Sequence, residues 1–364
     1  MKIAKVEAIP LKMRFGRGIE PKDATGMDWD FLDYCLVRVE TDDGIVGWGD
    51  AFAYNCRRAV VAAVEDMIAP RVIGRDASDI AQISRDLQQG LHLFGRYGIT
   101  TFAISGLDIA LWDIAAKRAG LPLYQLLGGA GTAKVPAYSS LFRYADTEML
   151  GEMVRRSIKD GYGHVKLHEI RIEDVAAARE AGGDATEIMV DTNCPWTPEV
   201  AKRMAEAMMA YDILWLEEPI FPPEDFAALA KLRAETGVAI ATGENACTAF
   251  QFQQMMDEGA ADYVQPSVTK VGGITEFRKV AAIAETAGVQ IMPHSPYFGP
   301  GFLASLHLAQ AMPQPGMIER IYLFPEAELY PGAYDPVDGT FGAPSGPGLG
   351  IEPDPNVIRD FRAE

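Results

Sequence analysis

The sequence is short of positive charge, and this shortage excludes one large class of partner. Its 33 lysines and arginines are outnumbered by 51 aspartates and glutamates, which gives a formal net charge of −18 at pH 7. A chain of this charge repels a phosphate backbone, and it has no basic stripe to offset that repulsion, so we expect no nucleic-acid partner. An anionic substrate would need local positive charge from lysines, arginines or a bound cation.

Cysteines and long apolar runs are also scarce. The four cysteines are widely spaced and form no CxxC pair, so we expect free thiols in a reducing compartment rather than disulfides or a zinc cluster. The segment MKIAKVEAIPLKM has no apolar core of the kind that a secretory signal needs. No apolar run approaches the roughly 20 residues that cross a bilayer. These absences predict a cytoplasmic protein without membrane contact.

One pattern dominates the chain from about residue 133 to residue 322, where a β-type apolar run, a loop and an amphipathic helix recur. Strands that alternate with helices pair in parallel, and eight such units most simply close into a barrel. An open doubly wound sheet is the alternative, but no glycine-rich phosphate-binding motif follows the first strand. The eight strand candidates are KVPAYSS, GHVKLH, EIMVDTN, ILWLEEP, VAIATGEN, DYVQPSV, VQIMPHSP and GMIERI.

The first 130 residues have a different pattern. MKIAKVEAIPLKM and YCLVRVETDDGIVGWGDAF read as antiparallel strands with a hairpin turn at TDDG, and helical segments follow them. A chain of 364 residues has room for two domains. We therefore predict an α+β domain over residues 1–128, a β/α barrel over 129–323, and a C-terminal segment over 324–364.

Ionisable and polar residues concentrate at the ends of the predicted barrel strands, which is where the functional groups of such barrels gather. Side chains alternate along a strand, so Lys166 and His168 face the same way, as do Asp191 and Asn193. The same alternation sends Glu217 and Glu218 to opposite sides, so only one of them lines the site. The residues concerned are Lys166, His168, Asp191, Asn193, Glu217, Glu218, Glu244, Asn245, Ser267, Lys270, His294 and Glu319.

Three of these carboxylates, Asp191, Glu217 and Glu244, come from consecutive strand ends and so from neighbouring positions on the barrel rim. Without a cation they would repel, and at least one would have to hold a proton. All-oxygen ligation with positions left open for a substrate suits magnesium better than zinc. The alternative is that these acids only cap helices or pair with lysines.

These motifs together resemble the enolase superfamily, in its mandelate racemase and muconate lactonizing branch, and the resemblance covers the whole chain. It implies a modified (β/α)7β barrel with an α+β N-terminal capping domain, which the C-terminal segment closes. It implies that Asp191 in VDTN, Glu217 in WLEEP and Glu244 in GEN bind one Mg²⁺, with Mn²⁺ as a possible substitute. This selects Glu217 rather than Glu218, and Asn193 matches a substrate contact.

The second-strand motif of the family is usually lysine-x-lysine, whereas here it is Lys166-Leu167-His168. The resemblance implies that His168 is the base on one face of the substrate carbon, with Lys166 beside the substrate carboxylate. A histidine titrates near neutral pH and suits proton transfer. A purely structural role for His168 is the alternative.

On the opposite face, the mandelate racemase pattern pairs a histidine with an aspartate. His294 is present, but Ser267 stands at the aspartate position. Serine can orient an imidazole but cannot stabilise an imidazolium, so we expect His294 to act as an acid or hydrogen-bond donor. Lys270 matches a family lysine and is a second acid/base candidate or an anion contact. Glu319 matches an acid that donates to the developing enolate oxygen, which requires a raised pKa.

Family specificity comes from loops of the capping domain and from residues around the barrel mouth. We expect substrate contacts from Asn193, Trp29, Arg17, Tyr54, Ser267 and Tyr297, with Arg14, Lys22, Met27, Phe52 and Trp196 nearby. A solvated loop charge is the alternative for the arginines.

The resemblance implies removal of the proton next to a substrate carboxylate through an enediolate. We favour dehydration of a small sugar acid to a 2-keto-3-deoxy acid, because His294 without its aspartate suits protonation of a leaving hydroxyl. Racemisation, epimerisation and cycloisomerisation on the same site stay open, as does metal-dependent binding of a sugar acid without turnover. The expected partners are a small carboxylate-bearing substrate and further copies of this chain, from dimer to octamer.

Overall fold

The alternating apolar residues near the N-terminus form three strands of an antiparallel sheet. The computed structural model describes residues 1–18, 29–131, 134–314 and 316–364. In it β1 (Ile3–Gly16) pairs with β2 (Phe31–Thr41), which pairs with β3 (Val46–Ala51). The predicted TDDG turn joins β2 to β3, where Gly44 has a φ of 86° and its N–H donates to the Thr41 carbonyl at 3.0 Å. This conformation favours glycine.

Helices cover one side of this sheet. They are α1 (Arg57–Ala62), which continues through a π-helical stretch (Ala63–Ile68) into α2 (Ala69–Val72), then α3 (Ile80–Gly90), α4 (Ile99–Ala119) and α5 (Leu123–Leu126). The backbone of α4 lies directly on β3, because a Cβ at Gly49 would lie 1.8 Å from the Gly106 carbonyl oxygen. A side chain at position 49 would prevent this packing, so β3 needs a glycine there.

Helix α4 corrects one expectation from the sequence. Its 21 residues are long and apolar enough to cross a membrane by length and composition. However, 78% of its most apolar window is buried inside the protein. Burial of this extent is typical of a core helix, since a membrane-spanning helix would present its apolar surface to lipid.

The eight predicted barrel strands are all present among the described residues, and they pair in parallel in one sheet. Their order around the sheet is β10-β9-β8-β7-β6-β5-β4-β11. The strands are β4 (Val135–Ser140), β5 (His164–Leu167), β6 (Glu187–Asp191), β7 (Ile213–Glu217), β8 (Ile240–Thr242), β9 (Tyr263–Val264), β10 (Gln290–Ile291) and β11 (Ile318–Ile321).

Side-chain contacts join the two ends of this sheet. In the described part of the chain no backbone ladder pairs β10 with β11, but the Glu319 N–H donates to Ser295 Oγ at 3.0 Å. Ser295 Oγ in turn donates to the Glu319 carbonyl at 3.3 Å. Ser295 thus takes the place of a ladder residue and closes the barrel beside Glu319.

Seven helices lie between the barrel strands in the described residues, which agrees with the (β/α)7β prediction. They are α6 (Thr147–Lys159), α7 (Ile172–Gly182), α8 (Pro198–Met208), α9 (Phe226–Thr236), α10 (Thr248–Asp257), α11 (Gly273–Ala287) and α12 (Pro300–Ala311). Buried Tyr138, Met189 and Trp215 belong to the apolar cluster of the barrel strands. The barrel is therefore a packed core with a site at one end, not a pore.

The C-terminal segment contacts the first sheet. Its short strand β12 (Phe324–Pro325) pairs with β1, and the Ala363 N–H donates to the Pro10 carbonyl at 2.9 Å. Between them, β13 (Thr340–Phe341) pairs with β4 of the barrel, and α13 (Pro355–Asp360) follows. The domain boundaries at residues 128 and 323 stay a prediction, which the pairing of β12 with β1 supports.

Candidate active site

A cavity of about 370 Å³ lies between the first sheet region and the C-terminal ends of the barrel strands. The loops that follow β4, β5, β6, β8, β9 and β10 each contribute a polar side chain to its wall. The N-terminal region contributes aromatic rings. The wall includes Trp29, Phe52, Tyr54, Arg143, His168, Asn193, Glu244, Lys270, His294 and Tyr297.

The three carboxylates predicted to bind a cation converge beside this cavity. Asp191 and Glu217 are the last residues of β6 and β7, and Glu244 lies two residues after β8. One ligand oxygen from each lies within 4.8 Å of the other two. Three oxygen donors this close together, two of them on buried residues and one on a partly buried residue, fit a hard divalent cation.

Lys166 lies at the centre of the acidic group and is completely buried. Its Nζ is 3.0 Å from Glu217 Oε1, 2.9 Å from Glu319 Oε1 and 3.3 Å from Asp191 Oδ2. Burial lowers the pKa of Lys166, but Glu217 and Glu319 raise it more, so it lies well above the ordinary lysine value. The lysine is therefore a fixed positive charge.

One lysine does not neutralise these acids. Burial and the neighbouring Asp191 raise the pKa of Glu217 well above its ordinary value, despite Lys166. Burial also raises the pKa of Asp191, yet Lys166 and His168 outweigh it and leave that pKa below the ordinary value. Glu217 is thus the acid that most requires a further cation to ionise.

Strand alternation separates Glu217 from Glu218, as predicted. Glu217 points into the barrel, where the indole N–H of Trp215 donates to its Oε2 at 3.0 Å. Glu218 points away and accepts from Asn245 Nδ2 at 2.8 Å. Glu218 therefore belongs to a second layer of hydrogen bonds behind the carboxylate group.

His168 is fixed by two contacts at one end of the three-acid group. Its Nδ1 lies 2.5 Å from the Leu141 carbonyl, and since a carbonyl only accepts, Nδ1 carries a proton. Its Nε2 lies 3.1 Å from Asp191 Oδ2. Nε2 is therefore the ring nitrogen that faces the acidic group.

His294 stands at the other end of the group. Its Nε2 lies 2.8 Å from Glu244 Oε2, and its Nδ1 lies 3.1 Å from the Tyr297 hydroxyl. Ser267 reaches His294 only indirectly, because its hydroxyl hydrogen-bonds the Tyr297 hydroxyl. The pKa of Glu244, which burial raises and His294 lowers more strongly, falls to about 2.

The expectation of a raised pKa for Glu319 is wrong. Burial raises the pKa of this carboxyl, but Lys166 and His294 lower it more, so it lies below the ordinary glutamate value. Glu319 is consequently an ionised partner of Lys166 rather than a protonated donor. The sequence could not show this, because Lys166 lies on a strand distant in sequence.

Lys270 faces the cavity and is nearly buried, with 6% of its surface exposed. Its Nζ lies 4.9 Å from the centre of the Phe52 ring. The described residues give it no hydrogen bond or ion pair. An ammonium in this setting fits an anionic or proton-accepting group of a ligand.

The predicted substrate contacts divide into two groups. Asn193, Trp29, Tyr54 and Tyr297 line the cavity, whereas Ser267 lies behind Tyr297. Arg17 lies outside the cavity wall, where it donates to the Trp29 carbonyl at 2.9 Å.

The other residues named from the loops lie in different surroundings. Phe52 lines the cavity, and the Arg14 side chain packs over the Phe31 ring of β2. Trp196 packs against the core and is not part of the cavity wall. Lys22 and Met27 lie outside the described residues.

Among the cavity residues that were missed from the sequence are Arg143 and Asp50. Arg143, after β4, donates through Nε to the His168 carbonyl at 2.6 Å and through Nη2 to the Thr192 carbonyl at 3.2 Å. Asp50, at the end of β3, is buried and accepts from the Gly301 N–H at 3.4 Å. The position of Arg143 three residues after a barrel strand was the available signal; Asp50 gave none.

Two family models match this chain. One, described as Enolase C-terminal domain-like, matches residues 149–357, and the other, described as Mandelate racemase / muconate lactonizing enzyme, N-terminal domain, matches residues 29–128. These matches agree with an α+β cap followed by a barrel of eight parallel strands.

Individual relatives cover nearly the whole chain. It is 34% identical over 342 residues to the 3,6-anhydro-alpha-L-galactonate cycloisomerase of Streptomyces coelicolor, with 89% of each protein covered. It is 32% identical over 344 residues to the arabinonate dehydratase of Saccharolobus solfataricus, with 92% of this chain and 91% of that protein covered.

A solved structure of a mandelate racemase/muconate lactonizing protein from Paracoccus denitrificans PD1222, complexed with magnesium, superposes with a TM-score of 0.88 at 29% identity. The comparison covers 100% of this chain and 98% of that one. The chain is therefore an enzyme of the enolase superfamily and belongs to its mandelate racemase and muconate lactonizing enzyme family.

Proposed function

We propose that this enzyme dehydrates a small sugar acid to a 2-keto-3-deoxy acid, with one Mg²⁺ held by Asp191, Glu217 and Glu244. Mn²⁺ would serve in the same oxygen-donor site. The observation that carries the proposal is the placement of two histidines at opposite ends of the acidic group. His168 contacts Asp191 at 3.1 Å, and His294 contacts Glu244 at 2.8 Å.

In this proposal, His168 removes the proton. Its Nδ1 is held by the Leu141 carbonyl, so Nε2 takes the proton from the carbon next to the substrate carboxylate. A cation held by the three carboxylates would supply positive charge to the substrate carboxylate and make that proton more acidic. Lys166 holds a permanent charge beside the same group, and Glu319 keeps the lysine in place at 2.9 Å.

In this proposal, His294 assists the loss of the substrate hydroxyl. As the enediolate collapses, the C–O bond at the next carbon breaks, and the hydroxyl leaves as water with a proton from His294 Nε2. The enol that remains takes a proton from solvent and becomes the 2-keto-3-deoxy acid. The net reaction loses one water, and both histidines return to their starting states by exchange with solvent.

The remaining cavity residues support recognition of a hydroxyl-rich anion. Asn193 Nδ2 lies 3.0 Å from Asp191 Oδ1, so its amide stands beside the acidic group. Lys270 and Arg143 bring two cations, which offset the unfavourable field of an acidic protein. Trp29 and Tyr54, whose ring centres are 4.9 Å apart, form an apolar wall opposite the barrel.

A substrate panel in deuterated water tests the proposal. The protein with MgCl₂ is incubated with aldonates and aldarates, and the keto acid is detected with semicarbazide. We expect one or a few substrates to give keto acid, and chelation of the metal to stop the reaction. Saturable binding without deuterium exchange or keto acid across the panel would contradict the proposal.

Cycloisomerisation is a second candidate, because a relative 34% identical to this chain is named a cycloisomerase. That reaction starts from the same proton removal but opens or closes a ring within the substrate, so the product keeps the substrate mass. Mass spectrometry separates the two, since dehydration removes one water. Racemisation or epimerisation would instead change optical rotation with no change of mass.

A further inference from the structure

A buried carboxylate outside the acidic group contacts the backbone behind one wall of the cavity. Glu169, in the loop between β5 and α7, has 1% of its surface exposed. Its Oε1 accepts from the Tyr144 N–H at 2.7 Å and from the Ala145 N–H at 3.2 Å. Both donors belong to the β4 loop, residues 141–146, which joins β4 to α6. One carboxylate oxygen therefore connects the loop after β5 to the β4 loop.

The β4 loop carries groups that reach the candidate site. Three consecutive residues, Leu141, Phe142 and Arg143, line the cavity. The Leu141 carbonyl lies 2.5 Å from Nδ1 of His168, and Arg143 Nε donates to the His168 carbonyl at 2.6 Å. Phe142 packs against Trp29, with ring centres 5.6 Å apart. A shift of this loop would therefore move an imidazole contact, a guanidinium and an aromatic wall together.

The backbone of the β4 loop needs partners to keep its conformation. Ala145 has a φ of 52°, in the left-handed region that is unfavourable for a residue with a Cβ. Such a conformation persists only where the surrounding structure holds it. The two N–H groups that Glu169 accepts are those of Ala145 itself and of the residue before it. Glu169 therefore contacts the loop at its least favourable point.

The surroundings of Glu169 leave the β4 loop as an important source of hydrogen bonds to it. Asp174 is completely buried, and it accepts from Arg171 Nε at 2.7 Å and from Arg171 Nη2 at 2.5 Å. Burial and the charge of Asp174 raise the pKa of Glu169 to about 7, although the Tyr144 N–H lowers it. A carboxylate buried beside another one is unfavourable, and the two N–H groups of the β4 loop offset part of that cost.

We infer that Glu169 is a positioning residue, which holds the β4 loop in the conformation that places Leu141 against His168 and Arg143 in the cavity. It acts through the backbone of the loop, from behind the cavity wall. The inference rests on the proposed function, in which His168 removes the proton and Arg143 helps to bind the anion. It requires only the position of the imidazole, whatever its protonation state.

Amide hydrogen exchange tests the contact with the loop without turnover. Mass spectrometry of peptides that cover residues 141–146 is carried out with MgCl₂ at pH 8, above the pKa of Glu169. We expect Glu169→Ala to speed exchange of the Tyr144 and Ala145 amides by about tenfold or more, as for loss of a hydrogen bond to a charged acceptor. Glu169→Gln keeps an oxygen for the loop and an NH₂ for Asp174, so most of the protection should return.

Kinetics test what the contact does for the reaction. With the substrate found above, we expect Glu169→Ala to lower kcat for deuterium exchange by about 10²-fold, the loss that a misplacement of about 1 Å can cause. KM should rise by about tenfold, because Arg143 moves with the loop. Glu169→Gln should recover most of both losses. Combining Glu169→Ala with Arg143→Gln should raise KM no further than either change alone, because both remove the same contact.

Asp113 provides a matched control for loss of a buried carboxylate. It too has 1% of its surface exposed, and it accepts from the backbone N–H groups of Trp48 at 2.9 Å and Leu349 at 2.8 Å. It does not belong to the cavity wall. Asp113→Ala should therefore lower the denaturant midpoint, but it should change neither kcat nor amide exchange in residues 141–146.

The outcomes separate this inference from the proposed function. Unchanged exchange of residues 141–146 in Glu169→Ala would overturn the inference even if the enzyme dehydrates sugar acids. A loss of kcat no larger than that of Asp113→Ala, or KM effects that multiply in the double variant, would also overturn it. If Glu169→Ala does not fold, Glu169→Asp takes its place, because it keeps the charge but shortens the side chain. The expected amide exchange without turnover of any sugar acid would leave Glu169 in contact with the loop and overturn the proposed function instead.

Discussion

The two ends of the acidic group hold the same side chain in different surroundings. His168 has a backbone carbonyl on Nδ1, whereas His294 has a hydroxyl there. A carbonyl can only accept, so it fixes a proton on Nδ1 of His168, whereas the Tyr297 hydroxyl can donate to or accept from Nδ1 of His294. The comparison teaches that one imidazole is held by a fixed acceptor and the other by a hydroxyl that can reverse its role, although both face a carboxylate through Nε2.

The largest effect should come from removing the charge that both ends share. In Lys166→Met, three buried carboxylates lose their common partner, so we expect the free energy of unfolding to fall by about 3–5 kcal/mol without metal. Turnover should fall by about 10³-fold, because the positive charge at the carboxylate is lost. Denaturant titrations with and without MgCl₂ measure the first effect. An unchanged midpoint without metal would show that the carboxylates do not depend on Lys166.

A pair of matched substitutions should separate the two ends directly. We expect His168→Gln to lower both deuterium exchange and water loss by about 10³-fold, because proton removal comes first. His294→Gln should lower water loss by about 10²-fold and leave exchange nearly intact. Both rates come from one experiment in deuterated water. Exchange that is lost in His294→Gln but retained in His168→Gln would reverse the assignment of the two ends.

Arg143 offers a further test of the difference between the two histidines. Its backbone contacts are all near His168 and none is near His294. Arg143→Gln removes a guanidinium bonded to the carbonyls of His168 and Thr192. We expect KM for the substrate to rise by about tenfold, as for loss of one charged hydrogen bond, with a smaller change in kcat. Arg85→Gln, an exposed change on α3, is the control. A loss confined to water loss would instead connect Arg143 to the His294 side.

The smallest effect on turnover concerns Asp50, a buried carboxylate that lies outside both ends, where we expect a change in stability instead. Burial, partly offset by the Gly301 N–H, raises the pKa of Asp50 to about 7. Its favourable contribution is therefore present below about pH 4 and is lost as the pH rises to about 7. Relative to wild type, Asp50→Asn should gain on the order of 4 kcal/mol in stability across that range. Denaturant midpoints from pH 4 to 8 measure this, with the exposed Asp66→Asn as control; parallel curves would contradict it.

Much of the fold was predictable because each barrel unit repeats a local pattern. Apolar runs of strand length between amphipathic helices predicted all eight strands of the parallel sheet, including β9 and β10, which are only two residues long. The closure through Ser295 was not predictable, since a single hydroxyl replaces the backbone ladder between β10 and β11.

The candidate site likewise has features that could be predicted from local sequence and features that could not. Alternation along β5 and β7 predicted which side chains share a face, and Lys166, His168 and Glu217 do so. The ionisation of Glu319 and the indirect position of Ser267 depend on contacts with Lys166 and Tyr297. Those contacts cross from one barrel strand or loop to another, and no spacing in the sequence encodes them.

By itself, the sequence determined the acidic balance, the order of strands and helices, and the gathering of ionisable residues at one end of the barrel. These follow from local periodicity, which each segment carries within its own residues. Only the tertiary structure decided which atom faces which partner: a carbonyl behind His168, a phenol behind His294, and a lysine among the acids. Proton positions depend on distances of about 3 Å between residues far apart in the chain, and only the folded chain sets those distances.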